Sequence, residues 1–243
     1  SLGFKVDPKN LQQSVYDFLL DFVKQDSSRL IFPAFNYNYG DNLEFNILED
    51  EIEVGSLPVW VKKTQNFHRT AIPFYSVLSI DDLGIELNNL INPFGKKSFF
   101  YKLYEKDGII FFLGAPFKSN TFIHFIEEMV NNGPLYRYKK RFDGKVIFDD
   151  VEKNISFEMH VRPKNSSLDY DWDRLEIELI DNNLLKTHKG LKQLKLIKAR
   201  ELFSFWKKRI EKDPFYLLND FSREFMFKAT SDGTKRLVIE DFE

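Results

Sequence analysis

The residues whose types and spacing most readily do chemistry are His124, Glu127 and Glu128. Three and four positions apart in a helical segment, they share one face, so an imidazole stands beside two carboxylates. Two roles fit that pattern. In the first, His124 is a partly buried helix histidine satisfied by Glu127 or Glu128. In the second it is a general base whose pKa is set by opposing influences. The positive end of the helix favours the neutral ring, and a nearby carboxylate favours the protonated one. A balance near neutrality is what base catalysis requires.

Other chemistries are excluded or weakened by what the chain lacks. It has no cysteine, which removes disulfides, thiolate metal sites and a cysteine nucleophile. The four histidines, His68, His124, His160 and His188, do not have the spacing of a metal cluster, so no metal is expected. No Walker loop, G-x-G-x-x-G or G-x-S-x-G is present. A net charge of −2 gives no electrostatic footprint for nucleic acid. No apolar run approaches the length of a membrane span, and no signal-peptide pattern opens the chain, so a cytoplasmic setting is expected. Apolar residues make up 43% of the 243 and include 26 Phe, enough for a well-packed core.

The elements that must position His124 lie on either side of it. Ile109–Leu113 is a short, wholly apolar run bounded by turn residues and reads as a strand buried on both faces. Gly114 ends it, and Lys118–Thr121 leads into a helix that begins near Thr121 and stops before Gly133-Pro134. A strand whose loop presents a helix N-terminus is where open α/β sheets keep their chemistry.

Upstream, residues 9–25 have helical spacing, and Leu30–Phe35 reads as a strand with Pro33 at an edge or a break. Tyr37 and Tyr39, in an Asn-rich loop, are candidate ligand-facing aromatics. Helices are expected at Trp60–Lys63, 85–90 and 97–106. Beyond 134 the pattern predicts paired strands at Lys145–Phe148 and Ile155–Val161, then an alternating strand Leu175–Ile180. A helix over 190–211, a short one at Pro214–Asn219 and a β-like tail at Arg236–Ile239 complete the chain. Residues 1–243 read as one domain, with an α/β core over 1–133 and an α+β elaboration over 134–243.

These residues carry a resemblance to the aminoglycoside 3-N-acetyltransferase family. Its pattern L-G, six residues, T-x-x-H-x-x-E is met by Leu113, Gly114, Thr121, His124 and Glu127. P-[LF]-G-x-x-S is met by Pro93, Phe94, Gly95 and Ser98. R-[ST]-x-H-P-x-x-S is met by Arg69, Thr70, Pro73 and Ser76, with Ile72 in place of the histidine. Glu53, Val54, Gly55, Leu57 and Pro58 match E-x-V-G-x-L-P, and Pro33, Ala34 and Phe35 match the end of a strand. The C-terminal half matches loosely, mainly from Gly190 to Arg200. Ser1-Leu2 stand where the family ends H-S-S-L, a motif that helps to hold coenzyme A in relatives.

The resemblance implies a three-layer α/β core with a mixed β-sheet flanked by helices, and a β-rich C-terminal elaboration. It implies an acetyl-CoA-dependent N-acetyltransferase with direct transfer to a small-molecule amine. His124 would be the base and Glu127 its orienting partner. Arg69 would face a coenzyme phosphate, with Ser1, Thr70 and Ser76 also at the coenzyme; Thr70 and Ser76 are candidate donors to the thioester oxygen. The acceptor is expected to be an amino sugar, first a nucleotide-linked one of the surface-polysaccharide type. The alternatives are an aminoglycoside, drawn by Asp169, Asp171, Asp173, Glu176 and Glu178, or a non-catalytic acyl-CoA- or glycan-binding role. Neither nucleic acid nor a membrane is an expected partner, and a homodimer is left open.

Overall fold

The computed structural model describes residues 10–24, 29–85, 90–148, 151–164, 166, 168–188 and 191–238. The chain divides into two compact, discontinuous units. One contains 94–140 and 159–243, the other 4–93 and 141–158.

The second of these opens with α1 (Leu11–Lys24), whose Val15, Tyr16 and Leu19 are buried. A small antiparallel sheet follows, ordered β1 (Ile31–Pro33), β4 (Val77–Ser79), β3 (His68–Arg69). Pro33 therefore stands on an edge strand, where its missing N–H costs least. The short α2 (Tyr39–Asn42) leads to β2 (Glu44–Asn46), and α3 (Ser56–Thr64) follows Gly55, which adopts φ +72°. A four-stranded mixed sheet is ordered β2, β7 (Tyr138–Phe148), β8 (Val151–Val161), β5 (Leu90–Ile91). Its outer strands are parallel to their neighbours, with Phe45 opposite Val146 and Ile91 opposite Phe157. Phe74 packs 5.1 Å from Phe157 and 5.4 Å from Tyr39 between ring centroids. Tyr39 is fully buried, so of the two candidate ligand-facing tyrosines only Tyr37 reaches solvent.

The other unit holds α4 (Phe99–Glu105), β6 (Ile109–Leu113), a 3-10 turn at Phe117–Ser119 and α5 (Phe122–Met129). Further on come α6 (Trp172–Asp181), β9 (Lys186–His188), β10 (Leu191–Lys198), α7 (Ala199–Ile210) and α8 (Asp220–Ala229). Ser98 caps α4 by accepting from the Tyr101 N–H at 3.1 Å, which explains the serine of the P-F-G-x-x-S motif. Tyr104, Phe125 and Phe203 bind α4, α5 and α7 into one aromatic core, at centroid separations of 4.6–5.9 Å.

Several expectations give way here. Ile109–Leu113 is not buried on both faces: among the described residues β6 is the edge of an antiparallel sheet ordered β6-β10-β9, and Ile109 is 45% exposed. Leu175–Ile180 is helix, not strand. Leu175 and Leu179, four apart, are buried together, and Asp171 caps the helix through the Arg174 N–H. Of the helix expected over 190–211, Leu191–Lys198 is strand, because pairing with β6 and β9 overrides local propensity there; residue 190 lies outside those described. Pro214–Leu217 forms turns, and α8 starts only at Asp220, capped by Asn219. The helix expected at 85–90 falls largely on residues outside those described, with Leu90 already in β5; Arg236–Val238 is not strand, and Ile239 lies outside. Among the described residues no helix is long and apolar enough to cross a membrane.

Gly144 on β7 leaves no room for a side chain. A Cβ there would lie 2.2 Å from the Leu43 carbonyl oxygen and 2.6 Å from the Tyr39 hydroxyl. Gly144→Ala is therefore expected to lower stability by about 1–3 kcal/mol, read as a lower urea midpoint at unchanged slope. An unmoved midpoint would mean that β2 and β7 separate freely.

Candidate active site

Helix α5 is apolar on the side of Ile123, Phe125 and Ile126, all essentially inaccessible, and carries its polar pair His124 and Glu127 one turn apart. The His124 Nδ1 lies 3.0 Å from Glu127 Oε2. Phe94 meets the imidazole edge-on at 5.6 Å between centroids. The His124 side chain keeps 25% of its surface exposed while that of Glu127 keeps 3%. Contact through Nδ1 places the proton on that nitrogen when the ring is neutral, leaving Nε2 as the basic atom. Among the described residues Nε2 has no hydrogen-bond partner.

Glu127 is held from all sides. Its Oε1 accepts from the Tyr136 hydroxyl at 2.6 Å and from the Tyr170 hydroxyl at 2.7 Å. The Arg137 Nε lies 3.4 Å from Oε2, an ion pair within the interior. Arg137 also donates from Nη2 to the Tyr170 oxygen at 2.7 Å, and that oxygen lies 3.3 Å from His124 Nδ1. Burial alone would raise the Glu127 pKa, but Arg137, His124 and Tyr136 hold it down at about 2. Burial and the Glu127 charge push both phenols well above their ordinary value, so both remain donors.

The same charges act on His124. Burial lowers its pKa, Arg137 lowers it further, and Glu127 opposes them without prevailing. The balance is thus below the ordinary histidine value rather than at neutrality. The causes are burial first and then Arg137, a cation that spacing along α5 does not reveal. Arg137, Tyr136 and Tyr170 are the members of this cluster that the sequence reading missed. Tyr136 and Arg137 lie close beyond α5, and an alternating polar–aromatic run there was the one available signal; Tyr170, 46 residues from His124, left none.

Glu128, on the same helix, does something else. Its Oε2 lies 2.6 Å from His160 Nδ1, and His160 Nε2 lies 3.0 Å from Arg236 Nη1. His160 is thereby satisfied on both nitrogens. Gly133 packs against its ring, where a Cβ would come within 2.3 Å.

Arg69, Thr70 and Ser76 are brought together in the other unit. Arg69 donates to Ser76 Oγ at 3.1 Å and to the carbonyls of Ile47, Asp50 and Ala34 at 3.2, 2.6 and 2.7 Å. Ser76 is fully buried and gives its hydroxyl proton to the Ala34 carbonyl. Thr70 Oγ1 accepts from the Val77 N–H at 2.9 Å. A guanidinium has five N–H groups, so one is left without a partner among the described residues, and the Ser76 proton is already given to a carbonyl. Ile72, in place of the family histidine, is buried. Ser1 lies outside the described residues. The acidic segment is also partly engaged: Glu176 pairs with Lys195, and Asp171 and Glu178 pair with Arg174, which leaves Asp169 and Asp173 as its exposed carboxylates.

The buried charges set the acid sensitivity of the fold. A carboxyl with a depressed folded pKa contributes stability above its unfolded value, and this is lost as pH falls from about 4.5 through about 2. His124, also depressed, binds a proton more readily when unfolded, so stability starts to fall once pH drops below about 6.5. Both act in one direction. Glu127→Gln is expected to cost about 3–5 kcal/mol at neutral pH, because it leaves Arg137 buried without its anion. It should also flatten the decline between pH 4.5 and 2. Urea titrations across pH read both, and an unchanged slope would mean Glu127 is not ionised in the folded protein.

The family model for aminoglycoside 3-N-acetyltransferase matches residues 12–211. Among solved structures, aminoglycoside acetyltransferase AAC(3)-Xa superposes at a TM-score of 0.65 with 16% identity, over 83% of this chain and 80% of that one. AAC-IIIb in its binary complex with CoASH gives 0.65 and 17%, over 81% and 83%. The YokD protein from Bacillus subtilis gives 0.60 and 14%, over 83% and 81%. At these identities the likeness is one of fold. No curated protein matches the chain in sequence. The family model spans most of the chain, so the chain belongs to the aminoglycoside 3-N-acetyltransferase family, a family of acetyl-CoA-dependent N-acetyltransferases.

Proposed function

We propose that this chain transfers the acetyl group of acetyl-CoA directly to an amine of an aminoglycoside, with His124 as general base. The observation that carries the reading is the His124–Glu127 pair, Nδ1 to Oε2 at 3.0 Å, with Nε2 unpartnered among the described residues and the ring partly exposed. An amine attacks a thioester only as its neutral form. As the new C–N bond forms, Nε2 takes the amine proton, and the C–S bond breaks. The same proton then passes from Nε2 to the departing sulfur, leaving free coenzyme thiol and an amide. Glu127 keeps the proton on Nδ1 and stabilises the imidazolium while it lasts.

The depressed His124 pKa suits this role, since the ring is neutral and ready to accept at physiological pH. The intact pair also speaks against a non-catalytic binding role. Coenzyme contact from the Arg69 cluster is limited to one Arg69 N–H and the Thr70 hydroxyl, and the cluster otherwise braces its own loop. For the acceptor, membership of the family supports an aminoglycoside over a nucleotide-linked sugar. The exposed Asp169 and Asp173 are the carboxylates of the acidic segment able to attract a polycation.

His124→Gln cannot accept the proton and should lower kcat by about 10²–10⁴-fold with acetyl-CoA affinity nearly unchanged. The assay is thiol release from acetyl-CoA across a panel of aminoglycosides and amino sugars. In the unmutated chain kcat/KM should rise with pH through an apparent pKa below about 6.5, and that limb should vanish in the variant. A folded His124→Gln within about threefold of the original would remove His124 from the mechanism. Replacing Asp169 and Asp173 together by Asn should raise KM for an aminoglycoside at low salt and hardly at all at high salt. An unchanged KM at low salt would rule out recruitment by this segment.

A further inference from the structure

We infer that Tyr170 is a positioning residue, whose hydroxyl, braced by the C-terminal segment, holds the Glu127 carboxylate and the His124 imidazole in register for proton transfer. The inference rests on the reading of His124 as the base. The Tyr170 oxygen is the one phenol oxygen in the cluster near both members of the pair, 2.7 Å from Glu127 Oε1 and 3.3 Å from His124 Nδ1. It has a single proton, and the partners decide where that proton goes. Arg137 donates into the oxygen from Nη2, so the proton is left for the carboxylate. The imidazole Nδ1–H is then shared between Glu127 Oε2 at 3.0 Å and the Tyr170 oxygen. Two acceptors fix the ring plane where one would permit rotation about the bond to it, and a general base acts only within a narrow range of orientation.

The backbone around Tyr170 is anchored to match. Tyr170 forms an antiparallel bridge with Leu218. The Asp171 N–H donates to the Leu217 carbonyl at 3.0 Å, and the Asn219 N–H donates to the Asp169 carbonyl at 3.2 Å. The Asp169 N–H donates to the Oγ of Ser222, a fully buried residue at the start of α8, at 2.8 Å. Residues 217–222 lie beyond the part of the chain that matches the family model, yet they fix a residue that touches the catalytic pair. Tyr136 differs. It reaches Glu127 Oε1 but not the imidazole, so it serves as the internal comparison.

Tyr170→Phe keeps the ring and removes the hydroxyl. kcat is expected to fall by about ten- to a hundredfold while KM for acetyl-CoA stays within about twofold. The acid limb of kcat/KM should move to higher pH, because a carboxylate with one donor fewer stabilises the imidazolium more. Tyr136→Phe should move the limb the same way with a smaller loss of kcat. Tyr170→Phe with kcat within about twofold and an unmoved limb, alongside an inactive His124→Gln, would overturn this inference alone. An active His124→Gln would overturn the reading beneath it. Should Tyr170→Phe fail to fold, Ser222→Ala leaves every side chain of the cluster in place and removes one anchor. Its kcat should fall several-fold with the limb in place, and an unchanged kcat would overturn the brace.

Discussion

A carboxylate taken out of water is costly unless its charge is met, and Glu127 meets that condition with Arg137 behind it and two phenols and an imidazole around it. The surroundings of α5 follow from this. Tyrosines rather than phenylalanines stand at 136 and 170 because each must bring a donor to an otherwise apolar interior, and a phenol stays protonated there. Arg137 serves two ends. It keeps Glu127 ionised, and it keeps His124 from protonating early. Glu127 acts to raise the imidazole pKa, and burial, with Arg137 added to it, outweighs that pull. Burial and this third charge together hold the imidazole below its ordinary value, so the ring is neutral at ordinary pH.

The other unit uses a buried cation in a different way. Arg69 lies over the Phe45 ring, 4.9 Å from its centroid, and its donors converge on the carbonyls of Ala34, Ile47 and Asp50, just beyond β1 and β2. Burial drops its pKa to about 10, so the loops gain their organisation at some electrostatic cost. Ser76 completes the knot by accepting from Arg69 and donating to Ala34. The spacing of R-T-x-x-P-x-x-S thus reports main-chain geometry at least as much as ligand contact. So do Ser98, as a helix cap, and Gly55, with its positive φ.

Local periodicity made much of the frame legible. The apolar stripe of α1, the start and stop of α5 and the placing of α4 depend on neighbours within one or two turns, and the side chains themselves state them. His124 and Glu127 belong to that class, since helical spacing alone brings them within reach of one another. Period fails where both readings satisfy it. Leu175–Ile180 alternates as a strand would, yet Leu175 and Leu179 also lie on one helical face, and an Asp171 cap with Arg174 bridging to Glu178 decides for helix. Along 191–198 the residues are good helix formers, and the ladders to β6, from Leu194 opposite Leu113 to Lys198 opposite Ile109, and to β9 make them a strand.

The sequence by itself therefore determined the pairing of His124 with Glu127, the helix that carries it and the family pattern around it. Tertiary structure decided the charge state of that pair. Arg137 and Tyr136 reach Glu127 across the turn after α5, and Tyr170 arrives from 43 residues away because residues 217–222 hold it there. Electrostatic interactions depend on distance in space and on exclusion of water, and neither quantity is written in the spacing of residues along a chain.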